Sequence, residues 1–127
     1  MTKATAEWVQ KAEDDWFAAN QLSQGNRPLH DQVSFHCQQC AEKYLKALLQ
    51  ELALAIPRTH DLEVVLDLLL PHHRTLRSLR RGSHFLSGFA VDVRYPGERV
   101  TKRKAAAALR WADRTRTATR FLLGLRP

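Results

Sequence analysis

The sequence lacks the features that mark several classes of protein. It contains only 2 cysteines, and these lie too close together in the chain to close a useful disulfide loop, which excludes a disulfide-stapled fold. No apolar run approaches the roughly 20 residues that cross a bilayer, and the first residues lack the apolar core of a signal peptide. We therefore expect a soluble cytoplasmic protein with reduced thiols and no membrane association.

Strict alternation of apolar and polar residues, the mark of a β-strand, is also missing, as are internal repeats and low-complexity linkers. Apolar residues instead recur every three or four positions, which is typical of amphipathic helices. The pattern predicts one all-α domain over residues 1–127, an antiparallel (up-down) bundle of about five helices, three long and two short. The predicted helices lie before residue 25 and at about 29–53, 62–70, 73–86 and 101–125.

The charges are divided unevenly along the chain. Residues 1–73 hold 6 Lys and Arg against 10 Asp and Glu, a net charge of −4, and residues 74–127 hold 14 against 3, a net charge of +11, which together give +7. This division indicates either a half that binds a polyanion or a chain that pairs its own ends. An ordinary basic surface is equally consistent with it.

The stretch FHCQQCAEKYLKALL, residues 35–49, contains Cys37 and Cys40 at the spacing of a zinc or redox pair, with His36 beside them. Structural zinc uses about four ligands and catalytic zinc usually three, but only His36 is close in sequence. Redox pairs lie at helix N-termini, whereas this pair begins roughly two turns inside the second predicted helix. We therefore predict that both cysteines are small buried core residues, and we predict no metal site and no cofactor.

The same stretch resembles the HEPN domain family, whose second helix reads much like F-H-x-x-Q-A-A-E-K-x-L-K-A. The resemblance extends to KAEDDWFAA in the first helix, with Asp15 at the family's acidic position, to THDL at 59–62 and to VRYP at 93–96. Cys40 stands where the family has alanine, in agreement with a small buried residue. The positions that match the second-helix pattern directly are Phe35, His36, Gln39, Ala41, Glu42, Lys43, Leu45, Lys46 and Ala47.

This resemblance covers nearly the whole chain and implies a helical bundle that forms a homodimer. It also implies a partner, a minimal nucleotidyltransferase encoded beside it, in pairs that look like toxin–antitoxin systems. Active members cut RNA without a metal through an R-x(4–6)-H motif near the start of the last long helix. Histidine can move the proton of the ribose 2′-hydroxyl, and arginine stabilises the phosphate.

Self-association is also favoured by residues outside the motif. The uneven charge division and three tryptophans, Trp8, Trp16 and Trp111, provide the reason. We expect their apolar area to exceed what five short amphipathic helices can bury, so that the excess is covered by a second copy of the chain.

The catalytic pattern is degenerate in this sequence. The family's arginine position is Arg94, but residues 99–101, where the histidine would fall, are Arg, Val and Thr, and no histidine follows His84. A formal match exists upstream, where Arg77 and His84 bracket six residues, and we expect Gly82 to break the helix between them. His84 is then a partly buried or surface histidine of the fourth helix.

Several cations and one aromatic residue are candidates for binding. Arg94 and Tyr95 precede Pro96, which makes a stiff loop able to hold a phosphate and stack a base, although a clamp from Arg94 to Asp92 or to an acid of the first helix is equally consistent. Cations at the start of the last helix oppose its dipole and so indicate an external anion or an acidic partner. The candidate residues for RNA or nucleotide binding are Arg94, Tyr95, Arg99, Lys102, Arg103, Lys104, His36, Gln39 and Lys43.

A polar stripe on the second helix and the residue Asp61 can each be explained by a structural role instead of binding. His36, Gln39, Lys43 and Lys46 form one stripe along the second helix, which lines a groove or, as we slightly favour, forms a solvated flank. Asp61 is interpreted as the cap of the third helix.

Three hypotheses for function follow. The favoured one is the RNA- or nucleotide-engaging, toxin-like component of a pair with a minimal nucleotidyltransferase, with weak or no nuclease activity of its own. The second is an active metal-independent endoribonuclease that uses Tyr95, His84 or His36 as a non-standard acid–base residue. The third is a dimeric, non-catalytic interaction module that positions the nucleotidyltransferase.

Overall fold

The computed structural model describes residues 1–91 and 95–127 of the chain. These residues form five α-helices and one 3₁₀ helix, which confirms the prediction of an all-α bundle with three long and two short helices. No described helix is both long enough and apolar enough to span a membrane. The elements are α1 (Lys3–Gln24), α2 (His30–Glu51), α3 (Leu62–Leu69), the 3₁₀ helix (Arg74–Leu79), α4 (Arg80–Ser87) and α5 (Lys102–Leu122).

Side chains cap three of the helices at their N-termini. The Thr2 hydroxyl accepts a hydrogen bond from a backbone N–H in the first turn of α1, and Asp61 accepts one from Glu63 N at 3.0 Å, which confirms Asp61 as the cap of α3. Thr101 does the same for Lys104 N at 3.1 Å at the start of α5. Each cap satisfies a backbone donor that a helix otherwise leaves free, so the three boundaries are fixed locally.

The helices pack around α2, which contacts α1, α3, α4 and α5. α1 runs antiparallel to α2, since Thr5 near its start bonds Glu51 at the end of α2. α2 and α5 run in the same direction, because Asp31 at the start of α2 bonds Val100 just before α5, and Tyr44 further along α2 bonds Arg120 near the end of α5. The start of α5 therefore lies beside the start of α2.

The interior is built mainly from the apolar side of α2. Cys37 and Cys40 are both fully buried there as free thiols, as predicted for small core residues, and burial raises the pKa of both. The three tryptophans are half-buried against the core and do not form an exposed patch. The apolar excess that was expected from them is therefore absent, and Phe17 and Phe121, 65% and 80% exposed, are the large apolar side chains left on α1 and α5.

The segment expected as the fourth helix is divided into the 3₁₀ helix and α4, and Gly82 lies inside α4. The prediction that Gly82 breaks the helix was wrong. A Cβ built at Gly82 would lie 2.2 Å from Cε3 of Trp111, far inside contact distance. Glycine is required at this position because the Trp111 ring of α5 packs directly on the α4 backbone.

Candidate functional site

The polar stripe of α2 faces acidic partners rather than solvent. His36 Nδ1 lies 2.8 Å from Asp15 Oδ1, and Lys43 Nζ lies 2.5 Å from Asp15 Oδ2. The Asp15 side chain is 11% exposed, and those of His36 and Lys43 are 30% and 23% exposed. Asp15, the acidic position of α1, thus contacts both His36 and Lys43 of the stripe.

The pKa of Asp15 is set by burial and by its two partners on α2. Burial by itself raises the pKa of this carboxyl, but the hydrogen bonds from His36 and Lys43 and the charge of Lys43 outweigh burial, so the pKa is lower than usual. Asp15 is therefore ionised in the folded protein at neutral pH and acts as the counter-ion of this part of α2.

The second half of the stripe forms a buried ion pair. Glu42 and Lys46 lie 3.1 Å apart, and their side chains are only 6% and 7% exposed. Glu42 also bonds His60 Nδ1 at 2.8 Å, and Lys46 donates to the Thr59 carbonyl at 2.9 Å. Gln38 links the same groups, since its amide donates to Glu42 and to the His60 carbonyl. The THDL segment is thus fastened to α2 by polar contacts.

These contacts correct the preferred interpretation of the stripe as a solvated flank. Gln39 donates to Gln38 Oε1 at 2.7 Å, so every member of the stripe has a partner within the chain. Of the RNA- or nucleotide-binding candidates in the stripe, His36 and Lys43 therefore tie α2 to α1, and Gln39 bonds its neighbour within α2. Sequence reasoning found the stripe but could not find the acids that it faces.

A further network was not predicted at all. Glu13 of α1 receives Nε and an Nη of Arg116 at 2.7 and 2.8 Å, and the Tyr44 hydroxyl donates to it at 2.5 Å. Arg120 donates to the Tyr44 hydroxyl at 3.0 Å. The pKa of Glu13 is held below its usual value, first by the Arg116 hydrogen bond. The uneven charge division was the one signal of this network, since it allowed the chain to pair its own ends.

The cations around the start of α5 are in a different situation. Arg99, Lys102, Arg103 and Lys104 are all exposed, and none has an ion-pair partner among the residues that the structure describes. Tyr95 is 70% exposed, and its carbonyl accepts from Glu98 N at 2.9 Å across a turn. Arg94 and Asp92, and with them the suggested clamp, lie outside the described residues.

The turn before α5 has a conformation that its sequence explains. Pro96 and Gly97 occupy its centre, and Gly97 has a φ of +92°. Proline followed by a residue with positive φ is the signature of a type II turn, for which glycine is the suitable residue. A turn is therefore present at Pro96, and the stiffness of the loop stays a prediction.

Two clefts flank the start of α5. One, of about 370 Å³, is lined by Arg99 and Lys104 together with Gly88, Phe89, Glu98 and Val100. The other, of about 520 Å³, lies where the end of α1, the α1–α2 connection and the first turns of α5 meet, and Lys102 lines it. The predicted cations at the start of α5 therefore lie between two clefts.

The upstream histidine occupies a separate exposed position. His84 Nδ1 lies 2.7 Å from Glu63 Oε1, and the His84 side chain is 81% exposed. Arg80 donates to the same Glu63 at 3.2 Å and to Asp67 at 2.5 Å. The pKa of Glu63 is lower than usual, first because of the His84 hydrogen bond. Within the described ranges, 1–91 and 95–127, no group of three His, Cys, Asp or Glu residues is arranged to hold a metal ion.

Comparison with known proteins agrees with the sequence pattern. The family model described as the HEPN domain matches residues 5–121. The fold is similar to that in the crystal structure of ST0689, an archaeal HEPN homologue, with a TM-score of 0.74 and 26% sequence identity over 96% of this chain and 98% of that one. No curated protein sequence matches the chain.

Proposed function

We propose that this chain, which belongs to the HEPN domain family, engages RNA or a nucleotide through the cations at the start of α5. In this proposal it is the toxin-like component of a toxin–antitoxin-like pair whose other member is a minimal nucleotidyltransferase. The observation that carries the proposal is the set of four exposed cations, Arg99, Lys102, Arg103 and Lys104, without ion-pair partners in the described part of the chain.

The placement of these cations favours an external anion. The N-terminus of a helix carries a partial positive charge, so three consecutive cations in its first turn oppose the dipole, which costs stability. Phosphate groups relieve this opposition, because they are attracted both by the side chains and by the helix terminus. Tyr95, exposed in the adjacent turn, supplies a ring on which a base can stack, and Arg94 belongs to the same segment.

The proposal assigns little or no nuclease activity to this surface, since no histidine follows the arginine of the family motif. It also keeps the homodimer that the family resemblance implies. Phe17 and Phe121, both largely exposed, are apolar side chains that a second copy would cover.

RNA binding measured by fluorescence anisotropy at two salt concentrations tests the proposal. Affinity should fall steeply with salt because bound cations displace counterions from the phosphates. Replacing Lys102, Arg103 and Lys104 by alanine should lower the salt slope by about 2, since each contact on a single strand contributes roughly 0.7. Tyr95→Ala should cost about 1–3 kcal/mol of binding if a base stacks there.

The matched control replaces Arg110, Arg114 and Arg126 by alanine. These three arginines are also exposed and belong to the basic half, but they lie in the middle of α5 and after its end. The control should keep most of the RNA affinity. Equal losses in the two triple variants would reduce the proposal to a general charge effect. No binding by wild-type protein at low salt would instead assign the basic half to a protein partner and support the interaction module.

A metal-independent endoribonuclease is the second candidate, and the position of His84 favours it. Because Gly82 does not break α4, Arg81 and His84 lie three residues apart on one exposed helical surface, with Arg77 a turn earlier. Glu63 orients Nδ1 of His84 and leaves Nε2 free to exchange a proton with a ribose hydroxyl. Labelled RNA should then be cut in EDTA by wild-type protein and not by His84→Ala. No cleavage above background would exclude this candidate.

A further inference from the structure

The larger cleft beside α5 has two chemically different sides. Its apolar wall is formed by Leu22, Leu29, Val33, Ala105, Ala106 and Leu109. Arg27, His30 and Lys102 line it as well and bring together two fixed cations and an imidazole from three parts of the chain. Binding clefts of small molecules are typically mostly apolar with a few convergent polar groups, in volumes of roughly 300–1,000 Å³, and this one has about 520 Å³.

We propose that this cleft receives the phosphate-bearing end of an RNA chain. The terminal phosphate lies at Arg27, His30 and Lys102, and the attached nucleoside packs against the leucine wall. The inference rests on the proposed RNA binding and deepens it, because it states which part of the RNA is recognised.

A terminal nucleotide matches this division of the cleft. Its phosphate monoester carries more negative charge than an internal diester, so a group of three donors favours an end over the middle of a chain. Its sugar and base supply the less polar face that the wall requires. Lys102 lines the cleft and also begins the exposed cationic turn of α5, so a chain that leaves the cleft runs past a turn that also carries Arg103 and Lys104.

The cleft is also held in shape by contacts outside it. Asp31, the acidic group next to His30, accepts a hydrogen bond from Val100 N at 2.7 Å, and this bond ties the start of α2 to the segment before α5. The Thr101 cap then fixes the first turn of α5. The helix starts that carry His30 and Lys102 are therefore already tied to each other.

The residues that line the cleft include no Phe, Tyr or Trp, and the imidazole of His30 is assigned to the phosphate. Base identity is usually read by stacking on aromatic residues together with hydrogen bonds to base edges. An aliphatic wall packs against any base, so the cleft should recognise the end phosphate and discriminate little between bases. AMP and UMP should therefore bind with similar affinity.

The experiment compares one RNA oligonucleotide with a 5′-phosphate, a 3′-phosphate or only hydroxyl ends, each labelled at the opposite end, in fluorescence anisotropy. A phosphate at one end should tighten binding by at least about tenfold over the hydroxyl-ended RNA. Calorimetry with AMP, UMP, adenosine and inorganic phosphate then separates a free mononucleotide from an RNA end.

Two variants locate the effect. Ala106→Trp fills the cleft without changing any charge, and it should remove the preference for the phosphate end while the hydroxyl-ended RNA still binds through the α5 cations. Arg27→Ala, in the α1–α2 connection, should remove the same preference because it takes away a cation that would bind the terminal phosphate. Ala6→Trp, at an exposed alanine of α1 away from the cleft, is the matched control and should behave as wild type.

The outcomes separate this inference from the proposed function. Salt-dependent RNA binding with no preference for a phosphate end overturns the inference and leaves the proposed function intact. A preference that survives in both Ala106→Trp and Arg27→Ala also overturns it, because the end would then bind elsewhere. Absence of RNA binding together with AMP binding that Ala106→Trp abolishes overturns RNA engagement and assigns the cleft to free mononucleotides.

Discussion

The lysines of α2 and those at the start of α5 have opposite surroundings. On α2, Lys43 and Lys46 lie 2.5 and 3.1 Å from Asp15 and Glu42, and the two lysine side chains are 23% and 7% exposed. At the start of α5, Lys102 and Lys104 are exposed and have no carboxylate partner in the described part of the chain. Residue type alone therefore does not distinguish a lysine that holds helices together from one that is available to a ligand. The acidic residues that a neighbouring helix or the same helix places beside the lysine make the distinction.

The largest effect is expected from removal of a buried partner on α2. Glu42→Ala should destabilise the protein by about 3–5 kcal/mol, because the Lys46 ammonium would remain buried without its counter-ion. Urea unfolding followed by circular dichroism measures the change. Glu98→Ala, at an exposed acid in the turn before α5, is the control and should change stability by less than about 0.5 kcal/mol. A loss below about 1 kcal/mol for Glu42→Ala would show that the α2 pair contributes no more than a surface pair.

A smaller loss of stability is expected when the contacts of Asp15 with His36 and Lys43 are weakened. Asp15→Asn should cost about 1.5–3 kcal/mol at pH 7, since charge-assisted bonds to His36 and Lys43 are weakened. The pKa of Asp15 is lowered in the folded state, so its contribution is complete above the unfolded pKa, near 3.9, and is lost as the pH falls through the folded value. The difference between wild type and variant should therefore shrink below about pH 4.

The neighbouring carboxylate provides the control for this pH dependence. Asp14 is exposed, and it accepts a hydrogen bond from Gln10 on the surface of α1. Asp14→Asn should leave stability at pH 7 nearly unchanged. A difference between wild type and Asp15→Asn that stays constant from pH 7 to pH 3 would contradict the assignment of Asp15 as the ionised partner.

The α5 cations should give an effect of the opposite sign. Replacing Lys102, Arg103 and Lys104 by alanine should raise stability by about 1 kcal/mol, since cations in the first turn oppose the helix dipole and alanine favours the helix. Thermal unfolding at low ionic strength measures the gain. Arg110→Ala, at an exposed position in the middle of the same helix, should change stability by less than about 0.5 kcal/mol. Destabilisation of the triple variant would mean that these cations are structural, like those of α2.

The smallest effect is expected on the apolar side of α2. Cys40→Ala should change stability by about 1 kcal/mol or less, because alanine suits a small buried helical site and the thiol is surrounded by Val9, Ala12, Tyr44 and Ala47. Its metal content, measured by mass spectrometry, should equal that of wild type. Stoichiometric zinc that disappears in the variant would contradict the interpretation of the cysteines as core residues.

The architecture could be predicted because the information is local. Apolar residues at three- and four-residue steps place Ala12, Ala19, Leu48 and Ala108 in the interior, and all four are buried. The Asp61 cap and the Pro96–Gly97 turn also depend on adjacent residues alone. The family resemblance came from the same local patterns.

The polar partners could not be predicted, because they are brought together only by packing. Lys43 and Asp15 are 28 residues apart and Arg116 and Glu13 are 103 apart, so no spacing rule connects them. Gly82 was misjudged for a related reason. Helix propensity describes an isolated helix, whereas this position is decided by the Trp111 ring of α5. The cleft beside α5 was missed because its lining comes from three separate segments.

The contact between Glu13 and Arg116 also sets an order of events during synthesis. α1 and α2 form a helical hairpin from neighbouring sequence, and Asp15 finds both of its partners within that hairpin. Glu13 has only Tyr44 until α5 is made, because its arginine lies 103 residues later. Contacts of such separation form late, since the intervening loop must first be closed. Until α5 is made, the α1–α2 hairpin of the growing chain therefore exposes the side that α5 later covers. Premature association of two nascent chains would begin on that side.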